Sequence, residues 1–471
     1  MERYLLGDKA VATLAQWRDL GGGQALEIAR RLGPDNTIEE LGTAGLRGRG
    51  GAGFPTARKW AGVRASGGTH RYVVCNAAEG EPSSFKDRAL LRANPYQVLE
   101  GLTVAALTLG AREAYVAIKR SFVPELERLL DALEQMEAAG MAGDVPIKVV
   151  GGPDEYLFGE EKAMLEVIEG KPPMPRLLPP YEQGLFATGS QIGWESIPRE
   201  PGRGPERPSE RGGGPERDVS NPTLVNNVET LANVSHILVR GAEWFRSMGT
   251  DGSPGHAVAT VVGDVVHPGV AEINLGMRLS DLIEEVGGGV RPGRRVKAAF
   301  SGISNAVVTA ADLDTPLTYE AMDAIGSGLG AVGYAVYDDT ACMVEVAFQY
   351  SRFLWIESCG QCPPCKLGTQ EITHRLNEIA ACRGTEEDVA VIGARLANVT
   401  DANRCFLGTE EQRVIRSILR AFPEEFAAHL EGDCPNPRTD LIAPKIVTLA
   451  GGEVTYDTRH LKKRPDWTYE D

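Results

Sequence analysis

The sequence predicts three parts in the order α/β domain, small β-grasp module and helical bundle. Helical and strand-like patterns alternate from residue 97 to 170, which is typical of a largely parallel sheet covered by helices. Short strands of apolar and small residues begin at His256, and from Met343 onward the pattern is helical alone. A length of 471 residues also favours more than one core. The predicted boundaries are 1–250, 251–335, 336–425 and an extended tail at 426–471.

The individual elements follow from the spacing of apolar residues. Helical periodicity covers 9–31, and Thr37 with Glu40 has the spacing of a capping box, which predicts a second short helix there. A buried strand is predicted at Arg71–Cys75. The later helices are predicted at 97–109, 125–139, 343–356, 369–381, 386–398 and 409–420. Arg, Glu, Gly and Pro dominate 199–217, which predicts a solvated, mobile insertion at 191–222, with a docking site for a partner as the alternative.

Composition excludes several classes of protein. The formal net charge of −16 argues against nucleic acid as a partner. No apolar run is long enough to span a membrane, and residues 1–9 lack the pattern of a signal peptide. The eight cysteines fit a reducing compartment better than a disulfide framework, so we expect a cytoplasmic protein. We interpret Cys75, Cys342, Cys382 and Cys434 as structural rather than reactive thiols.

A basic, glycine-rich stretch occupies residues 45–56. Its glycines, Gly48, Gly50, Gly51 and Gly53 among them, let the backbone approach a ligand, while Arg49 and Lys59 add positive charge. Pro55 suits the first turn of a following helix, whose amide groups would face an anion. The spacing from Gly48 to Gly53 matches G-x-G-x-x-G, but the residues before it look helical, so it does not predict a Rossmann turn. The stretch predicts a nucleotide or phosphate loop, with a flexible basic linker as the alternative.

Polar side chains follow the predicted strands. Asn76, Glu79 and Glu81 come directly after the strand at Arg71–Cys75, where ligands of α/β folds bind. They could hydrogen-bond a ribose, ribityl or nicotinamide group; the alternative is that the two glutamates are charges at a helix start. Asn226 and Asn227 are costly to bury without partners, so a ligand or a turn must satisfy them.

Three closely spaced cysteines dominate the predicted bundle. Cys359, Cys362 and Cys365 have C-x2-C-x2-C spacing, which suits a cubane iron–sulfur cluster that takes its fourth ligand from elsewhere. We choose Cys405, which lies between two helical stretches, over Cys382, which ends a helical run. Zinc is the main competitor, although all-cysteine zinc sites usually contain two C-x2-C pairs.

These motifs together resemble the flavin-bearing F, or 51 kDa, subunit of NADH:quinone oxidoreductase (complex I). Related subunits occur in NAD-dependent formate dehydrogenases and hydrogenases. The resemblance covers about residues 40–425 and rests on motifs in the same order: Gly45–Thr56, Cys75–Arg88, Tyr156–Glu161, Asn226–Leu231 and Glu357–Thr369 with Cys405. It implies a Rossmann-like FMN domain, a β-grasp SLBB domain and a helical bundle with one [4Fe-4S] cluster. It also implies NADH as substrate, because FMN in this family takes hydride from NADH and passes electrons to the cluster.

The resemblance also implies roles for individual residues. The positions that match the family's flavin site are Gly48, Gly50, Gly51, Asn76, Gly159, Glu160, Asn226, Asn227 and Thr230. Those near NADH are Phe54, Lys59, Glu81, Tyr156 and Glu161, with Tyr181 as an aromatic in the same pocket. Of these, Glu81 and Glu161 are our candidates for a catalytic role.

Three departures from the family pattern affect the nucleotide site. Ala78 stands where the family has Asp, Gly62 replaces an aromatic residue, and Leu178 replaces a lysine. The alternative to an NADH-oxidising subunit is therefore an electron-transfer or scaffold subunit with a degenerate NADH site. No thioredoxin-like [2Fe-2S] domain or ferredoxin repeat is recognisable, so we expect a thioredoxin-like [2Fe-2S] subunit and further iron–sulfur subunits as partners in a larger soluble or membrane-attached complex.

Overall fold

The computed structural model describes residues 3–68, 70–188 and 220–470. The insertion predicted at 191–222 lies outside the described residues except for its last three positions. Among the residues described, no helix combines the length and the apolar character needed to cross a membrane.

The first domain is built on a four-stranded sheet in which every neighbouring pair is parallel, as predicted. The strand order is β3-β2-β1-β4. The strands are β1 (Tyr72–Ala77), β2 (Glu113–Lys119), β3 (Ile147–Gly152) and β4 (Thr223–Asn227). Because the strands are parallel, their carboxyl ends meet at one edge, where the asparagines at the carboxyl ends of β1 and β4 lie together.

Helices cover both faces of this sheet. The helices of the first domain are α1 (Leu14–Asp19), α2 (Gln24–Ala44), α3 (Thr56–Ala65), α4 (Lys86–Ala93), α5 (Pro95–Leu109), α6 (Val123–Ala138), α7 (Glu161–Ile168), α8 (Val228–Arg240) and α9 (Ala242–Arg246). Alternate residues of β1 enter opposite cores: Val73 packs with α2, α5 and α8, whereas Val74 packs with α7. Helices α5 and α8 approach closely at Gly101, where an added Cβ would lie 1.9 Å from the Leu231 carbonyl oxygen.

The helix predicted to start at Thr37 is instead the second half of α2. The helix bends at Gly33, whose φ of 75° breaks the helical path, and Pro34 follows it. Thr37 does not cap a helix; its hydroxyl donates to the Gly33 carbonyl at 2.8 Å. The capping-box spacing was therefore misleading, because the helix restarts directly after Gly33 and Thr37 already lies within it.

The second module is a mixed five-stranded sheet of order β6-β5-β9-β7-β8. Its elements are β5 (His256–Gly263), β6 (Gly269–Asn274), α10 (Leu279–Glu285), β7 (Val296–Ser301), β8 (Val308–Thr309), α11 (Tyr319–Ala324) and β9 (Gly333–Asp338). The β5–β9 pair is parallel and the other pairs are antiparallel, as expected of a β-grasp module.

The bundle and the tail complete the described chain. The bundle helices are α12 (Met343–Glu357), α13 (Pro363–Ala380), α14 (Glu386–Asn398), α15 (Leu407–Ala421) and α16 (Pro423–Leu430). The tail is not simply extended: β10 (Ile446–Ala450) and β11 (Glu453–Tyr456) form an antiparallel hairpin. Ile446 and Leu449 of β10 are buried against Phe85 and Val262, so the tail packs on both earlier modules.

A buried carboxyl lies between three helices of the bundle. The Ser351 hydroxyl of α12 donates to Oε1 of Glu411 at 2.6 Å and lies 2.8 Å from the Thr373 hydroxyl of α13. Burial raises the pKa of Glu411 to about 8, although the bond from Ser351 opposes the shift. The carboxyl is therefore held in a site that favours its neutral form.

This site predicts a pH-dependent stability. The folded-state pKa lies above the ~4.3 of an unfolded glutamate, so the contribution of Glu411 is full below that pH and is lost as pH rises towards 8. Glu411→Gln stays neutral, so its stability relative to wild type should increase as pH rises from 5.5 to 8. Each kcal/mol of this difference should raise its thermal midpoint relative to wild type by roughly 2–4 °C. Anaerobic thermal unfolding followed by circular dichroism measures this. The exposed Glu387→Gln is the control, and parallel pH profiles for wild type and Glu411→Gln would contradict the prediction.

Candidate functional site

The glycine-rich stretch forms a closed loop between α2 and α3. Gly45 leaves α2 in a left-handed conformation with φ of 72°. The Gly48 amide donates to the Phe54 carbonyl at 2.9 Å, and Arg47 bridges to Pro55 just before α3 begins. The alternative of a flexible linker is therefore wrong. No side chain caps the N-terminus of α3. The Thr56 amide donates to the Leu46 carbonyl at 2.9 Å, so the amides available to an anion are those that follow it in the first turn.

Residues of β4 and α8 hold this loop in place. The Arg49 amide donates to the Thr230 hydroxyl at 2.9 Å, and a Cβ on Gly50 would lie 3.3 Å from the Cβ of Asn227. The Arg49 side chain is 2% exposed, and its guanidinium donates to the His256 carbonyl at 3.0 and 3.2 Å. The charge of Arg49, expected to attract an anion, is therefore used inside the protein, and its amide is occupied by Thr230.

The asparagines at the carboxyl ends of β1 and β4 lie side by side and are largely satisfied within the protein. Asn76 pairs in register with Asn227, and its amide donates to the Gly159 carbonyl at 2.7 Å. Asn226 accepts from the Trp60 indole at 2.7 Å. Asn227 caps α8 by accepting from the Glu229 amide at 3.0 Å. The side chain of Asn227, which we expected to need a ligand or a turn as its partner, is thus paired with the N-terminus of α8.

The two glutamates after β1 have different surroundings. Glu79 accepts from the Ser84 hydroxyl at 2.8 Å, the Asp87 amide at 3.1 Å and the Arg88 guanidinium at 3.0 Å, which agrees with the helix-start alternative. Glu81 instead accepts from the Tyr156 hydroxyl at 2.7 Å, and from the second module through the Ile303 amide at 2.7 Å and the Ser304 hydroxyl at 3.0 Å. Burial outweighs these bonds and raises the pKa of Glu81.

Tyr156 joins Glu81 to a carboxyl of the bundle that sequence reasoning missed. Its hydroxyl also lies 3.0 Å from Oε1 of Glu410 in α15. Burial and the charge of Glu81 raise the pKa of Glu410 well above its usual range. A phenol has one proton to donate, so both contacts are hydrogen bonds when one carboxyl is protonated and donates back. No short-range pattern marks Glu410, because its partners come from distant segments.

The remaining nucleotide-site candidates lie along the segment that follows Tyr156. Glu161 forms an ion pair with Lys59, which also donates to the Val225 carbonyl at 2.7 Å. Glu160 caps α7 by accepting from the Lys162 and Ala163 amides at 2.9 and 2.8 Å, and burial raises its pKa to about 7. The rings of Phe54 and Tyr181 are about half exposed, at 48% and 51%, and are accessible to a planar ligand.

Four cysteines line one cavity at the end of the bundle. Cys359, Cys362, Cys365 and Cys405 surround it together with Leu157, Gly360 and Arg404. The Arg404 amide donates to Sγ of Cys362 at 3.3 Å. Burial and the neighbouring Cys362 and Cys359 raise the pKa of Cys365 to about 12, so metal binding must displace its proton. Cys382 does not line this cavity, and the four-thiol donor set fits a [4Fe-4S] cluster.

A second cavity lies beside Glu79 and Glu81 and is lined on one side by the tail. Its lining includes Lys119, Lys445 and Asp457. Burial and the charge of Lys445 lower the pKa of Lys119 to about 7. The sequence did not predict a role for these tail residues, because a segment described as extended gives no indication of where it packs.

Comparison with known proteins supports each part of this architecture. The Nuo51 FMN-binding domain matches residues 41–236, the SLBB domain 258–302, and the NADH-ubiquinone oxidoreductase-F iron-sulfur binding region 345–429. The second F subunit of the NADH-quinone oxidoreductase of Rhizobium meliloti is 36% identical over 424 residues, covering 87% of this chain and 93% of the relative. The HndC subunit of the NADP-reducing hydrogenase of Solidesulfovibrio fructosivorans is 32% identical, covering 88% and 80%.

A solved structure gives the same result. A chain of an NAD+-reducing [NiFe]-hydrogenase in the H2-reduced state superposes with a TM-score of 0.73 at 32% identity, covering 89% of this chain and 67% of that chain. The sequence matches, the three domain matches and this superposition agree with one another. The chain therefore belongs to the family of F subunits of NADH-quinone oxidoreductase.

Proposed function

We propose that this chain oxidises NADH and passes the electrons to a [4Fe-4S] cluster, as one subunit of a larger oxidoreductase. The observation that carries the proposal is the segment 156–161, which contacts both candidate sites. Tyr156 donates to Glu81, Gly159 accepts from Asn76 and Glu161 pairs with Lys59, while Leu157 lines the cysteine cavity. One short segment thus contacts both the proposed nucleotide-site residues and the proposed cluster ligands.

The glycine loop fits an FMN phosphate. A Cβ built on Gly51 meets no atom within 4 Å, so the loop borders open space there, while the Gly50 side is held against Asn227. The Gly48, Arg49 and Thr56 amides donate within the protein, and the other amides of the loop and of the first turn of α3 would stabilise the phosphate charge. FMN, when bound, accepts hydride from NADH and releases the electrons singly. The residues of the chain would position the nicotinamide against the flavin, and this positioning is their main contribution to the rate of hydride transfer.

The departures from the family pattern weaken this site without removing it. Ala78 is 1% exposed and packs in an apolar cluster with Phe158 and Val225, so no polar group replaces the family's Asp. Gly62 leaves open space on α3. A lost hydrogen bond costs about 1 kcal/mol and a lost stacking ring roughly 0.5–1.5 kcal/mol. These losses predict weaker FMN and NADH binding and favour a working enzyme with a high KM.

The family consists of subunits, and an acceptor must take the electrons onward. We infer that a thioredoxin-like [2Fe-2S] subunit and further iron–sulfur subunits have this role. The expected location is the cytoplasm, and contact with a membrane would come through other subunits of the complex. The family resemblance and the proposed cluster beside the bundle surface support this inference.

The proposal predicts that NADH reduces the bound flavin. FMN-loaded protein is titrated anaerobically with NADH while flavin absorbance is followed, and bleaching is the expected result because Glu81, Glu161, Phe54 and Tyr181 retain the family's residue types. A concentration of about 1 mM NADH lies at the upper end of the usual KM range. If the flavin did not bleach at this concentration but was still reduced by dithionite, the alternative of a scaffold subunit with a degenerate NADH site would be favoured.

Lys59 provides a test of the nucleotide site itself. Lys59→Met removes the ammonium group that, in the proposed site, hydrogen-bonds NADH. Loss of one charged hydrogen bond of about 1.5–3 kcal/mol should raise the Kd for NADH about 10–100-fold. Lys148→Met is the matched control, since Lys148 forms an exposed pair with Glu113. Equal NADH affinity in Lys59→Met and Lys148→Met, with FMN content unchanged, would remove Lys59 from the site.

The cysteine cavity predicts which thiols hold iron. Cys405→Ser should lose the cluster, because Cys405 lines the cavity with the other ligands, whereas Cys382→Ser should keep it. Iron per chain after anaerobic purification measures both variants. The same iron content in Cys405→Ser and wild type would rule out Cys405 as the fourth ligand.

A further inference from the structure

A second group of sulfur and nitrogen donors lies in the bundle, apart from the four-cysteine cavity. The Sγ atoms of Cys342 and Cys434 and a ring nitrogen of His429 all lie within 4.8 Å of one another. Cys342 precedes α12, His429 lies in α16, and Cys434 follows α16 at the start of the tail. Both Cys342 and His429 are buried, at about 1% exposure. None of these residues lines the four-cysteine cavity.

The imidazole of His429 is oriented as a metal ligand would be. Nδ1 lies 3.0 Å from the Ile379 carbonyl, which can only accept, so Nδ1 carries the proton. The lone pair is then on Nε2, which lies 3.2 Å from Sγ of Cys342. A carbonyl that fixes the tautomer of a histidine in this way is a regular feature of metal sites.

A further thiol lies beside the same imidazole, on its Nδ1 side. Sγ of Cys382, just after α13, is 3.5 Å from Nδ1 of the same ring. Cys382 has a φ of 54°, a left-handed conformation that is uncommon for residues other than glycine. Cys342 and Cys434 form the group with the ring without Cys382, so the Cys382 side chain must rotate from the Nδ1 side towards Cys434 to complete a tetrahedron.

We propose that Cys342, Cys382, His429 and Cys434 bind a Zn²⁺ ion. Cysteine thiolates with one histidine are a regular donor set for structural zinc, which is almost always four-coordinate. The site would anchor the start of the tail to the ends of three bundle helices. This inference does not depend on the proposed oxidation of NADH, since the zinc has no part in electron transfer.

Residues further along the tail form ion pairs with the second module and with the bundle. Arg438 pairs with Asp264 of the second module at 2.7 Å, and Lys463 pairs with Glu357 of α12 at 2.9 Å. Fixing Cys434 shortens the free chain that must find these contacts, and metal binding of this kind contributes directly to folding.

Metal analysis of the complete chain tests the proposal. We expect about one zinc per wild-type chain, with Zn–S distances near 2.3 Å and a Zn–N distance near 2.0 Å by X-ray absorption at the zinc edge. Cys434→Ser and Cys382→Ser should each lose zinc to a chelator that wild type resists, and should keep iron. Cys405→Ser should show the reverse pattern. Cys75→Ala removes a buried thiol outside the group and should retain both metals.

Three results would overturn the assignment. Wild type purified from zinc-containing medium could lack zinc, a Cys342–Cys434 disulfide could appear in the mass spectrum, or Cys434→Ser could hold zinc as tightly as wild type. Wild-type zinc retention by Cys382→Ser would remove Cys382 from the ligand set. Because Cys434 is only partly buried, its serine variant should fold, and its iron content verifies this in the same sample.

Discussion

The buried carboxylate of Glu357 is the constraint that joins the parts of this protein. Glu357 ends α12 two residues before Cys359 and is fully buried. Lys463 donates to its two oxygens at 2.9 and 3.0 Å, His460 lies at 2.9 Å, and the Tyr156 amide donates at 3.0 Å. Although burial opposes ionisation, the bond from His460 and the charge of Lys463 hold the pKa of Glu357 well below its usual range. A buried charge that lost its partner would cost about 3–5 kcal/mol.

This pairing explains why three segments meet beside the cysteine cavity. The tail supplies the cation and the bundle supplies the carboxylate. Tyr156 supplies a backbone amide, and its hydroxyl contacts Glu81 and Glu410. Leu157, the next residue, lines the cavity. Loss of the tail would therefore disturb the cysteine loop and the proposed nucleotide site together. The proposed zinc site acts at the other end of the same tail, where Cys434 leaves the bundle.

Local patterns in the sequence were sufficient for the fold and for the cluster motif. The alternation of helices and strands predicted the parallel sheet, and the spacing from Cys359 to Cys365 predicted three thiols in one loop. Contacts between distant segments could not be predicted: Glu357 and Lys463 are 106 residues apart, and Cys342 and His429 are 87 apart. Residue type also did not predict whether a charged side chain faces a ligand or a partner inside the protein. Arg49 and Glu79 have charges suited to a ligand, yet both are satisfied inside the protein.

A double-mutant cycle on Glu357 and Lys463 tests this account most directly. Anaerobic urea unfolding, followed by loss of cluster absorbance, compares wild type, Glu357→Gln, Lys463→Met and the double variant. Lys463→Met should cost about 3–5 kcal/mol because it leaves the carboxylate short of its cation, and the double variant should recover much of that loss. Coupling above about 1 kcal/mol is the predicted result, whereas losses that add to within about 0.5 kcal/mol would contradict it.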